Sequence, residues 1–148
     1  MQSVPLCPLL NLTYVSTRAI PPDRRVVETG EMVARARSRN GINHISGALL
    51  FTDIYFVQTL EGLATTVDDL MSLIEKDHRH TAVSVIDRST VSAPAFTCWS
   101  MAYSGPSLFV SRAVSRVLPG LPSRPQGISR LLRLIRELGA AKLPKTAP

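Results

Sequence analysis

An α+β fold, one five-stranded mixed sheet with two helices on one of its faces, is predicted by three observations. The periodic segments run in the order β-α-β-β-α-β-β. Both helical segments carry their apolar residues as a stripe on one side. The other runs are short and either alternate or are wholly apolar, as strands do. This is the ferredoxin-like plan with one strand added. It leaves a groove between the helices, over the central strands, where ligands are favoured.

Each element has its own reason. Leu9 to Ser16 reads as a strand with Leu10, Leu12 and Tyr14 on one face. Pro21-Pro22-Asp23 is a turn that can open a helix. The helix is expected from Arg24 to about Arg39, with Val26, Gly30, Val33, Arg37 and Asn40 as its stripe, widened by Val27 and Ala34. Asn40-Gly41 is a stop signal, because both residues tolerate the left-handed conformation. Ile45 to Phe51 and Tyr55 to Glu61 form a hairpin across Thr52-Asp53-Ile54. The β-branched Ile54 resists positive φ, so this turn is strained or of a type that does not need it. Thr65 or Thr66 with Asp68 or Asp69 resembles a capping box for the second helix, whose inner face is Val67, Leu70, Met71 and Ile74. Strands are expected at Ala82–Ile86 and Trp99–Tyr103, with Trp99, Met101 and Tyr103 on one face.

With 148 residues, 45% apolar and 19% charged, the chain is one folded domain (1–105) with a helical extension (106–148). Leu108–Leu118 could be one helix there. Ile128–Leu138 is a better one, with Ile128, Leu131, Leu132, Ile135 and Leu138 as a stripe that Leu134 widens. The stripe is expected to pack on the open face of the sheet or on another subunit. The net charge of +6 gathers late, where from Arg112 to Lys145 the basic residues meet only Glu137. Cys7 and Cys98 have no metal spacing and read as free thiols, Cys98 as a buried small hydrophobe. His44 and His78 have no metal partners. No apolar run approaches the ~20 residues that span a bilayer, and no positive start precedes the first apolar stretch, so a cytoplasmic protein is expected.

The most telling residue is Gln58. It shares a strand face with Phe56 and Leu60, and that face should be apolar. A buried amide without partners costs roughly 1–3 kcal/mol. Tyr14 lies in another strand and Asn40 at a helix end. A phenol and two amides converging on one pocket point to a flat polar ligand.

Taken together, Thr13-Tyr-Val-Ser16, Arg39-Asn40, Ser46-Gly-Ala-Leu-Leu-Phe51, Phe56-Val-Gln-Thr-Leu-Glu-Gly62, Asp77-His-Arg-His80 and Trp99-Ser-Met101 make the chain resemble a BLUF domain, a blue-light sensor that uses FAD. The resemblance covers roughly Asn11 to Tyr103. It implies that Tyr14 is the electron donor and Gln58 the switching amide. Asn40 would hold the pyrimidine edge of the flavin, and Trp99 and Met101 would exchange contacts on the last strand. Arg39, Arg79 and His80 match positions that contact the flavin or lie near it, although His80 alone could be a charge at a helix end. Arg39 departs from the Asn or His common there. The resemblance also implies a stand-alone, non-enzymatic photoreceptor. Its partners would be a response-regulator-like or cyclic-di-GMP-related protein and further copies of itself, with no nucleic acid or membrane.

Three rivals come from other classes. A ferredoxin-like nucleic-acid binder would fit the charge but needs exposed aromatics on the sheet. A small hydrolase needs a nucleophile and base that the sequence does not supply. A flavin-free interaction module is disfavoured by the presence of Tyr14 and Gln58.

Overall fold

A computed structural model of the chain describes residues 8–52, 54–104, 112 and 124–141, and side chains at these positions except 100–104, 124–125 and 139–141. The elements are β1 (Leu9–Arg18), α1 (Arg25–Ile42), β2 (Ser46–Phe51), β3 (Tyr55–Leu63), α2 (Ala64–Lys76), β4 (His80–Val91), β5 (Trp99–Ser104) and α3 (Arg124–Ala141), with a 3-10 turn at Pro22–Arg24 before α1. The sheet order is β4-β1-β3-β2-β5. Every neighbouring pair is antiparallel except β2 and β5, which run parallel. The expected order of elements is the one observed, and Cys7 and the Leu108–Leu118 segment, apart from Arg112, lie outside the described residues.

Strand alternation divides the core in two. Leu10, Leu12, Tyr14, Leu49, Phe51, Phe56, Leu60 and Trp99 face α1 and α2. Val15, Ala48, Leu50 and Val57 face the other way, where Leu131 and Ile135 of α3 are fully buried against them and Ile128, Leu134 and Leu138 pack around. The expected inner face of α2 is the one that is buried. Polar residues on the α3 side are paired: Thr13 and Thr59 share a hydroxyl–hydroxyl bond of 2.6 Å, and Asn11 donates to the Glu61 carboxylate at 2.9 Å.

The α1 stripe differs from expectation. Thr29, Val33, Ala36 and Asn40 are buried, whereas Val26 and Val27 are 87% and 63% exposed and Gly30, Ala34 and Arg37 face solvent. The first turn of α1 is not covered by the sheet, so its apolar residues have nothing to pack on. Asn40 does not cap the helix. The helix runs two residues further, and the chain reverses at His44 with φ 55. Asp23, Thr65 and Thr66 make no capping bonds either, since the 3-10 turn precedes α1 and Leu63 is the N-cap of α2. β4 is longer than its apolar core because the polar segment Asp87–Val91 still pairs with β1 through its backbone. The hairpin is closed by Thr52, whose backbone N–H donates to Tyr55 O and whose hydroxyl accepts from Ile54 and Tyr55 N–H, so Ile54 needs no positive φ. Cys98 is exposed, not buried. It lies just before the start of β5, and its neighbour Trp99 is the buried residue.

Candidate functional site

The hollow lies on the α1/α2 face. Tyr14 and Gln58 are direct cross-strand partners in β1 and β3, which puts phenol and amide side by side. Gln58 Nε2 donates to the Tyr14 hydroxyl at 2.5 Å, and the Trp99 indole Nε1 donates to Gln58 Oε1 at 2.8 Å. The three are 0%, 6% and 5% exposed. Indole nitrogen can only donate. Trp99 therefore fixes which end of the amide faces Tyr14.

Around this relay is a partly open cavity of about 130 Å³. Tyr14, Gln58, Leu49 and Trp99 form its floor; Met32, Arg35, Ala36 and Arg39 come from α1, Leu73 and Ile74 from α2, and Asp77, Arg79 and His80 from the turn into β4. The expected residues Tyr14, Gln58, Trp99, Arg39, Arg79 and His80 thus share one wall-to-wall site. Asn40 is not in that wall. It is buried beside it, 1% exposed, and neither atom of its amide has a hydrogen-bond partner. The Met101 side chain is outside those described; its backbone pairs with Leu49, which lines the cavity. Sequence reasoning missed Met32, Arg35 and Ala36. Their spacing with Arg39 is helical, and phasing α1 on Val33 and Ala36 instead of Val26 would have found them.

The electrostatics sort the groups. Burial pushes the Tyr14 phenol well above its usual value, and the Gln58 bond offsets this only in part, so it is firmly neutral. Burial likewise pushes His80 down to about 4. His80 is a neutral ring bonded through Nδ1 to the Ser16 hydroxyl at 2.8 Å, edge-on to Tyr14 and packed on Phe56; it begins β4 and is not a charge at a helix end. Burial alone would raise Asp77, but the side-chain and backbone donors of Arg79 outweigh it and leave the carboxyl at about 2. Arg79 is committed to that pair, with bonds of 2.6–3.1 Å. Among the described residues no group of His, Cys, Asp and Glu could hold a metal, and no helix is long and apolar enough to cross a membrane.

A closed, uncharged relay at the floor, apolar walls, a basic flank and an orphaned amide define a pocket for a flat cofactor with polar edges. The family described as sensors of blue light using FAD, BLUF, matches residues 9–102, and the chain belongs to it. It is a flavin-binding, light-sensing module. Over 125 residues (84% of the chain) it is 29% identical to a photoactivated adenylate cyclase subunit alpha of Euglena gracilis, but this spans only 11% of that protein. Among solved structures, BlrB in its dark state is 26% identical, with a TM-score of 0.62, over 87% of this chain and 98% of that one. The ground state of BlsA has a TM-score of 0.70 over 94% and 91% of the two chains; at 23% identity it supports the fold.

Proposed function

We propose that the chain senses blue light through FAD seated against Tyr14, Gln58 and Trp99, and signals to a separate protein through β5 and α3. The observation that carries this reading is the relay from Tyr14 through Gln58 to Trp99 at the floor of a cavity. The orphaned amide of Asn40 supports the cofactor: a flavin's pyrimidine edge offers acceptors and an N–H, and an amide answers both without adding charge. Arg39 and Arg35 line the α1 side, suited to phosphate, while Arg79 and His80 bound the outer end.

Bound flavin supplies the light absorption and, once excited, a demand for one electron. Tyr14 is the donor in reach. A neutral phenol gives up an electron readily only if its proton leaves too. In the observed orientation Gln58 turns its NH₂ to Tyr14 and cannot take that proton. Rotation of the amide brings Oε1 to Tyr14, where it accepts. The same rotation sets NH₂ against the donor-only indole, so Trp99 must let go. The state of the amide is thereby coupled to β5, and Met101 on that strand is read as the residue that exchanges contacts with Trp99. A buried network of this kind is cooperative enough to persist after the electron returns.

The frame is read as ferredoxin-like, five strands in βαββαββ order, with residues 1–105 as sensor and 106–148 as output segment. The protein is read as cytoplasmic and as a homo-oligomer. Its partner is read as a response-regulator-like or cyclic-di-GMP-related protein. A nucleic-acid reading is disfavoured by α3, which covers the sheet face that bases would stack on.

The test is absorption before and after blue light, with the released cofactor identified by mass. A flavin spectrum that moves slightly to the red and recovers in darkness is expected. A colourless protein that takes up no added FAD would overturn the reading.

A further inference from the structure

On the opposite face of β3 from Gln58 lies a second polar group that the light-sensing chemistry does not use. Glu61 is 1% exposed. Its carboxylate accepts from four donors. Asn11 Nδ2 and the Ser46 hydroxyl tie it to the neighbouring strands at 2.9 and 3.0 Å. The backbone N–H groups of Ala95 and Phe96, at 2.8 and 3.0 Å, tie it to the segment entering β5. Phe96 is buried among the residues that hold α3, and three positions later Trp99 is buried on the other face, on Gln58. Between them Cys98 O accepts from Gly47 N–H at 3.2 Å. Gly47 itself has φ +146 and lies so close to β3 that a Cβ there would stand 1.9 Å from Thr59 O.

We propose that Glu61 is the positioning residue for Trp99: its clamp on Ala95 and Phe96 sets the start of β5, and so presents the indole to Gln58 on one face and Phe96 to α3 on the other. Two buried side chains of a short segment are pinned on opposite faces by one carboxylate. A loss of the Trp99–Gln58 contact therefore loads the clamp, and through Phe96 it loads the packing of α3. This rests on the Tyr14–Gln58–Trp99 reading above. Trp99 is the only tryptophan, so its exposure can be read without light.

The experiment compares the full chain with Glu61→Gln and Ala95→Pro in the dark. Glutamine keeps the size but offers one acceptor oxygen instead of two. Proline removes a single donor at an exposed site and leaves the carboxylate intact. Acrylamide quenching of Trp99 is expected to rise at least twofold in both, with helix and strand circular dichroism unchanged. The second readout is the rate of dark recovery. Each variant is expected to alter it severalfold, and the alteration should vanish in a Trp99→Phe background. Quenching unchanged in Ala95→Pro, or recovery effects that simply add to those of Trp99→Phe, would overturn the proposal. If the red shift itself were absent while quenching rose, the clamp would stand and the photochemical reading would fail.

Discussion

The two faces of the sheet are built from alternate residues of the same strands, yet one is hollow and the other is full. On the α1/α2 face, Tyr14, Gln58 and Trp99 form a relay beside a cavity, and Asn40 has an amide with no partner. On the α3 face every strand polar group named above is satisfied from within: Thr13 by Thr59, Glu61 by four donors. Buried polar groups cost stability when unpaired and little when paired. The difference teaches where each kind of work is done. Unmet polar groups mark the place for a ligand; met ones mark the frame that holds it and carries its motion away.

Substitutions on the two faces should therefore fail in different ways. The largest effect is expected from Tyr14→Phe, which removes the hydroxyl that Gln58 meets: the reversible red shift is lost entirely, while the dark flavin spectrum and its stoichiometry are retained. A persisting shift would mean that the electron comes from elsewhere. On the full face, Leu131→Ala empties a site that is 0% exposed. It should cost about 2–4 kcal/mol in urea unfolding and leave the dark spectrum in place, since no described α3 residue lines the cavity.

The buried histidine gives a pH prediction with a definite sign. His80 has its pKa lowered by burial from 6.5 to about 4. The unfolded chain therefore binds the proton first. Stability from the neutral ring is fully present above pH 6.5 and is lost as pH falls towards 4, a change on the order of 3 kcal/mol. Denaturant midpoints measured across that range should fall with acid, and His80→Gln should flatten the dependence. Asp77 adds its own loss only at lower pH, from 3.8 towards 2. The smallest effect is expected at the exposed Arg88–Asp68 pair: Arg88→Ala should leave both the thermal midpoint and the photocycle unchanged within error.

The legibility of the sequence followed the same division. The full face was read nearly in advance, because Leu131, Ile135 and their neighbours repeat at helical spacing and need a surface to cover. The hollow face was read at Tyr14 and Gln58, where a polar residue interrupts a strand pattern. It was misread along α1, where Val26 and Val27 are apolar but uncovered, and Asn40-Gly41 resembles a stop although the helix continues to Ile42. Periodicity reports which residues could be buried; only the position of the sheet decides which are. Glu61 showed the reverse limit. A carboxylate in a strand reads as solvent-facing, and its four donors come from segments as distant as Asn11 and Phe96.

One measurement addresses the relay directly. Trp99 supplies a single indole N–H, hence one indole cross-peak in a ¹⁵N-labelled protein. Recorded in darkness and then under blue light, that proton is expected to move upfield as its bond to Gln58 is lost, and to return at the rate at which the flavin absorption recovers. An indole peak that stays in place while the flavin spectrum shifts fully would contradict the switch.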